Sequence, residues 1–151
     1  MLRVSKKMMY ALEAVVDIAY HAGSGVVQST DITRRQNIPR RYLEQALQAL
    51  VRDGILIGIR GPKGGYRLAR ERRRISIGDI VRAVGGLENG DAGNGTTKGS
   101  DLGRRVLLPL WDDIQRQTMA KLDGVSIDDL CGRADAEGIA GQGHDNLDFS
   151  I

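Results

Sequence analysis

One cysteine, Cys131, in 151 residues excludes an internal disulfide framework and any cysteine-only metal or iron–sulfur site within one chain. Histidine is almost as scarce. His21 and His144 lie far apart in the sequence, neither beside a nucleophile or a second ligand, so no catalytic constellation forms around them and no enzyme is expected. Aromatic residues are only 4% of the chain. Long apolar runs are missing, which excludes a transmembrane helix, and Met1–Lys7 lacks the apolar stretch of a signal peptide. A soluble, cytoplasmic protein without a membrane partner is expected. Acidic residues are short in the first half: residues 1–74 carry 15 Lys and Arg against 6 Asp and Glu, whereas residues 75–151 carry 7 against 13. The net charge of +3 hides this split, which points to a polyanion as the partner of the basic half.

With 41% hydrophobic and 27% charged residues, the rest is ordinary globular material long enough to bury its own core. Met8, Leu12, Val15, Val16 and Ala19 recur at helical spacing from Ser5 to about His21, with Gly23 as a stop. A second, short helix starts at Ser29, turns Ile32 inward and ends near Asn37. Pro39 fits the first position of a third helix, whose buried stripe is Leu43, Ala46, Leu47, Leu50 and Val51 and whose end is Gly54. Ile55–Arg60 and Tyr66–Ala69 read as strands joined by a Gly61–Gly65 turn. Ser76 and Asp79 form a capping-box-like start for a fourth helix, with Ile77, Ile80, Val81 and Val84 inward and Gly85-Gly86 at its end. Residues 88–101 hold no large apolar group and read as a mobile loop. A long helix from Leu102 to Asp123 contains Pro109, either in its first turn or at a kink. Ser126–Cys131 repeats the capping pattern, and the Gly- and Asp-rich stretch after about Gly138 reads as a fraying tail.

Three helices followed by a two-stranded hairpin with basic Arg60, Lys63 and Arg67 are the order of a winged helix-turn-helix. The fold class is thus mainly α with a small β-hairpin wing, plus a long dimerisation helix. A helix fits the DNA major groove, where arginine pairs with guanine and glutamine with adenine. Arg41, Gln45 and Gln48 fall on one face of the third helix, free of the buried stripe. The hairpin can bring Arg60 to a narrow minor groove. From Arg60 to Arg74 seven bases meet one acid, Glu71. The alternative is an interaction adaptor whose winged helix docks a partner enzyme or regulator; the basic excess speaks against it.

Tyr42-Leu43-Glu44-Gln45 and Arg60-Gly61-Pro62-Lys63-Gly64-Gly65-Tyr66-Arg67-Leu68 resemble the IscR/NsrR-like winged-helix transcriptional regulators, the Rrf-two family. Ser5-Lys6-Lys7, Tyr10-Ala11 and Ile77-Gly78-Asp79-Ile80-Val81 agree with it. The resemblance implies a dimeric transcription factor that binds a pseudo-palindromic site, and the function expected is that of a homodimeric repressor on an operator of double-stranded DNA. It implies Glu44 and Gln45 at base edges, Arg60 in the minor groove, and Ser5, Lys6 and Tyr10 at phosphates. The full DNA-binding set expected is Ser5, Lys6, Tyr10, Ser29, Arg40, Arg41, Tyr42, Glu44, Gln45, Gln48, Arg60 and Lys63. Many relatives carry three cysteines after the fourth helix that hold an iron–sulfur cluster; here residues 88–101 contain none, and neither cofactor nor metal is expected.

The expected organisation is a DNA-binding domain over residues 1–86, a flexible loop over 87–101, a dimerisation helix with a following short helix over 102–137, and a disordered tail over 138–151. Leu107, Leu110, Trp111 and Ile114 supply the apolar dimer face. Cys131 falls on an inner stripe with Ile127 and Leu130, where a thiol behaves as a small hydrophobe; a redox role requires that it be exposed. The signal, from a small-molecule or protein effector, is left open.

Overall fold

The computed structural model describes residues 4–23, 25–88 and 99–139. Among these, helices α1 (Lys6–His21), α2 (Ser29–Gln36) and α3 (Arg40–Arg52) precede an antiparallel hairpin of β1 (Leu56–Ile59) and β2 (Gly65–Leu68). Helices α4 (Ile77–Glu88), α5 (Leu108–Asp123) and α6 (Ile127–Ala136) follow. This is a winged helix carrying an additional long helix.

Helix α1 starts where Ser5 Oγ accepts a hydrogen bond from the Met8 N–H (3.1 Å), satisfying a donor that the first turn leaves unpaired. It is the central element, packed against α2, α3, α4, α6 and β2. Its Ala11 and Ala14 are small enough to let neighbours approach, and Val15 and Ile18 are fully buried. Leu43, Leu47 and Leu50 of α3, Ile80 and Val84 of α4, and Ile127 of α6 complete one core. Each large aliphatic side chain so enclosed contributes about 1.5–3 kcal/mol.

Several boundaries differ from the sequence reading. Pro39 is the N-cap of α3, in extended conformation, and Arg40 takes the first helical position. Val51 is 38% exposed, whereas Ala49 is buried. Both residues flank the leucine stripe, and the flank bearing Val51 opens onto a groove beside the hairpin. Ile55 closes α3 rather than opening β1: Gly54 adopts φ +76°, and the Ile55 N–H bonds to Leu50 O at 2.9 Å, a Schellman ending. Adjacent Ile55 and Leu56 are therefore both buried while Ile57 and Ile59 are exposed, so the expected alternation fails. Strand β2 begins one residue early, at Gly65. Helix α4 continues through Gly85-Gly86 to Glu88. Helical glycine costs only about 1 kcal/mol, less than burial of Ile80, Ala83 and Val84 returns.

The long helix opens with a π-turn, Gly103–Leu107, in which the Leu108 N–H reaches back five residues to Gly103 O. Pro109 then sits in the first turn of α5, where its missing N–H is tolerated. The C-terminal end of α5 rests on α4 at Gly78, where any Cβ would collide with the Asp123 carboxylate, and Arg82 clasps Asp123 at 2.8 Å. Both predicted capping boxes are present. Ser76 and Asp79 exchange hydrogen bonds of 3.0 Å, and Ser126 and Asp129 exchange bonds of 3.1 and 2.9 Å. The two are stitched together by Ile77 N–H to Val125 O (2.9 Å) and Ile127 N–H to Ile75 O (2.8 Å). This stitch returns α6 to α1, so Ile127 and Cys131 enter the core of the first unit. Gly138 (φ +78°) and Ile139 close α6 in a second Schellman ending. Of the loop expected over 87–101 and the tail expected over 138–151, residues 89–98 and 140–151 lie outside the described residues. Residues 87 and 88 belong to α4, and Gly138 and Ile139 belong to the ending of α6.

Candidate nucleic-acid interface

With Leu43, Ala46, Leu47 and Leu50 turned into the core, α3 presents Arg40, Arg41, Tyr42, Glu44, Gln45, Gln48 and Arg52 outward. The acid in this row is not isolated: Arg40 Nε donates to Glu44 Oε1 at 3.0 Å, one helical turn away. The pair offsets the repulsion that a lone carboxylate would exert on phosphate.

Two further elements converge on this helix. From one side, Tyr10 of α1 stacks on Tyr42 of α3 with ring centroids 6.1 Å apart, and Lys7 Nζ lies 5.6 Å from the Tyr42 ring centre. The N-terminus of α1, with exposed Ser5, Lys6 and Lys7, is thus fixed beside the start of α3. Ser5 also serves as the α1 cap, leaving its hydroxyl hydrogen available to an anion. Lys7 was absent from the predicted set; its place in the Ser5-Lys6-Lys7 run was the available signal. From the other side, the hairpin encloses a groove of about 700 Å³ that brings Ser29, Gln48, Arg52 and Arg60 together.

The hairpin is held in place by backbone rather than side chains. Val27, just before α2, exchanges two 2.8 Å hydrogen bonds with Tyr66, adding a bridge to the edge of β2. A Cβ on Gly65 would lie 2.5 Å from Val27 O, so this contact needs glycine there. Gln28 Nε2 donates to Pro62 O at 3.4 Å. Arg60, Lys63 and Arg67 stand exposed on the hairpin, with no acid within 4.0 Å among the described residues. The basic run beyond them behaves differently. Arg70 pairs with Asp79 (3.7 Å), and Arg72 and Arg73 pair with Asp128 (2.7 and 3.6 Å). Six of the seven bases from Arg60 to Arg74 therefore divide into an outward wing group and a group that ties the wing root to α4 and α6. Arg74 is exposed, and its carbonyl accepts from Arg70 Nη1 at 3.3 Å.

A buried acid that the periodicity did not single out sets α2 against α1. Asp17 accepts from Arg35 Nε (3.0 Å) and Nη2 (2.7 Å) and from Gln36 Nε2 (2.8 Å), with His21 Nε2 at 3.9 Å. The hydrogen bond to Asp17 raises the Arg35 pKa above its ordinary value, against the lowering effect of burial. Of the predicted dimer residues, Leu107, Leu110 and Trp111 are about half exposed, joined by Leu102 and Val106, and Ile114 is partly covered. Cys131 is buried, and burial pushes its thiol pKa up, with Arg72 acting in the opposite sense.

A helix-turn-helix with an exposed polar reading helix, a basic wing and a flanking basic helix start defines a winged-helix DNA-binding protein. Residues 4–133 match the family described as "Rrf2: Iron-dependent Transcriptional regulator", and the chain belongs to that family. It is 35% identical over 130 residues to the HTH-type transcriptional regulator IscR of Aliivibrio salmonicida, covering 85% of this chain and 77% of that one. Its fold is similar to T. potens IscR (TM-score 0.71, 32% identity, 92% and 93% of the two chains). It is also similar to CymR, the global cysteine regulator of B. subtilis (TM-score 0.67, 30% identity, 88% and 98%). The chain is a DNA-binding transcriptional regulator and not an enzyme.

The family description names iron, and the donor set of this chain does not fit an iron–sulfur cluster. Its single thiol is packed in the core on α6, and among the described residues no three His, Cys, Asp or Glu side chains gather at one point. No helix among the described residues is long and apolar enough to cross a membrane.

Proposed function

We propose that this regulator is a cytoplasmic homodimer that represses by occupying a pseudo-palindromic operator, without an iron–sulfur cluster. The observation that carries this reading is the convergence of three elements on one face: the outward row of α3, the α1 start held by the Tyr10–Tyr42 stack, and the wing anchored through Val27. In it, Arg41, Glu44, Gln45 and Gln48 read base edges. Ser5, Lys6, Tyr10, Ser29, Arg40 and Tyr42 position the helix on phosphates, and Lys63 supports Arg60 at the minor groove. The apolar strip of α5, covered by a second copy, sets two reading helices about 34 Å apart, one turn of the duplex.

Fluorescence anisotropy with a selected operator tests the division of roles. Gln45→Ala should cost about 1–3 kcal/mol on that site and relax preference at one position per half-site. Lys6→Ala should weaken all sequences alike and reduce the salt slope by about 0.9. Uniform weakening by Gln45→Ala, or a salt-independent affinity in the wild type, would refute the assignment.

A further inference from the structure

Away from the reading face, a cleft of about 360 Å³ opens between α1, the start of α4 and α6, a size that admits a small organic molecule. Its walls are apolar: Leu12 and Val16 of α1, Leu130 and Ala134 of α6, and Ile139. The last of these is fixed in place. The Ile139 N–H bonds to Ala134 O at 3.0 Å in the Schellman ending of α6, and its carbonyl accepts from the Tyr20 hydroxyl. Asp17, Gln36 and His21 also line the cleft. Gln36 donates to Asp17 at 2.8 Å, Arg35 completes the Asp17 carboxylate, and His21 Nε2 lies 3.9 Å from that same carboxylate, which offsets any positive charge on the imidazole.

Glu13 is different. It is half-buried in the same wall, and among the described residues no hydrogen bond or ion pair reaches it. Burial alone acts on its carboxyl, raising its pKa above the ordinary value. A carboxylate partly withdrawn from water with no donor to replace it is unfavourable unless a cation or donor arrives.

We propose that this cleft binds a small organic amine, its apolar body against Leu12, Val16, Leu130 and Ala134 and its ammonium group donating to the Glu13 carboxylate. Charge selects the class. An anionic ligand would meet Glu13 as a like charge, and a neutral one would offer that carboxylate at best a donor without the charge attraction. Asp17 does not compete for the amine because Arg35 and Gln36 already occupy its oxygens. The cleft also has a route to the reading face. Gln36 ends α2, and an amine lodged against the Asp17–Gln36 end presses on the contact that seats α2 on α1. That coupling rests on the DNA interface proposed above; binding of the amine does not.

Isothermal titration of the full chain with 2-phenylethylamine, and with its neutral and anionic counterparts 2-phenylethanol and 3-phenylpropanoate, tests the proposal. The amine should bind at least tenfold more tightly than the alcohol, and the acid more weakly than either. Glu13→Gln, which keeps shape, should erase the tenfold preference, and Ala134→Trp should abolish binding of both by filling the cleft. Thermal melts check that both variants fold. Should Ala134→Trp fail to fold, nuclear Overhauser contacts from the phenyl ring to Leu12 and Val16 methyls in the wild type decide the location. Equal affinity for amine and alcohol, or a preference that survives Glu13→Gln, would overturn the proposal. Loss of duplex DNA binding by amine-free protein would count against the DNA interface alone.

Discussion

A carboxylate with 2% exposure can stay in the core at Asp17 because Arg35 and Gln36 bring three N–H donors to its two oxygens. Removing it strands a mostly enclosed guanidinium. Asp17→Ala should therefore lower unfolding stability by about 3–5 kcal/mol, measured by urea denaturation, with Asp17→Asn between the two. A loss under about 1 kcal/mol would show that water replaces the pair. Cys131 makes the opposite case, a reactive group silenced by its surroundings. Burial, assisted by Asp128, raises its thiol pKa and keeps the thiolate scarce near neutrality. Alkylation by iodoacetamide should thus be slow in the native protein and accelerate only with unfolding; rapid stoichiometric labelling under native conditions would reopen a redox role. The burial of Cys131 was legible from its spacing to Ile127 and Leu130. Asp17 carries no such signature, because its Arg35 and Gln36 partners lie 18 and 19 residues away, beyond any periodic signal. The local hint was an acid set between Ala14 and Ile18 on an otherwise apolar face.

The two capping boxes show how far local sequence reaches at the level of elements. Each Ser–Asp pair could be read directly, because a cap is a contact across three residues. That their backbones bridge each other, Ser76 against Ser126, is a contact across fifty residues and leaves no local trace. Ser76→Ala and Ser126→Ala should each cost about 1 kcal/mol. The shared bridge should make the double variant depart from additivity by about 0.5 kcal/mol or more, a difference that four urea titrations resolve. Strict additivity would mean that the two caps act independently. The wing follows the same rule. Its turn was evident from glycine and proline, but its attachment to Val27 and the engagement of Arg72 and Arg73 by Asp128 depend on segments brought together only by folding.

For the molecule as a whole, α5 is the outlying element, with none of its residues fully buried and Trp111 48% exposed. Its apolar strip was visible in the spacing of Leu107, Leu110, Trp111 and Ile114; the return of α6 to the core was not. Trp111→Glu should yield monomers by light scattering and lose binding to the full palindrome together, since each half-site alone recruits one reading helix. A monomer that retains wild-type affinity for the palindrome would separate the two. The seat of α5 on Gly78 carries a mechanical consequence. Sixteen residues of helix extend about 24 Å, so a displacement at this end is magnified along the shaft. The atoms that a Cβ would meet most closely belong to the Asp123 side chain, so Gly78→Ala should first turn that carboxylate away from Arg82. A bulkier residue is needed to tilt the shaft, where about 5° would carry its far end through about 2 Å. In the dimer proposed above, such a tilt would change the pitch between two reading heads while leaving every side chain on the DNA face untouched.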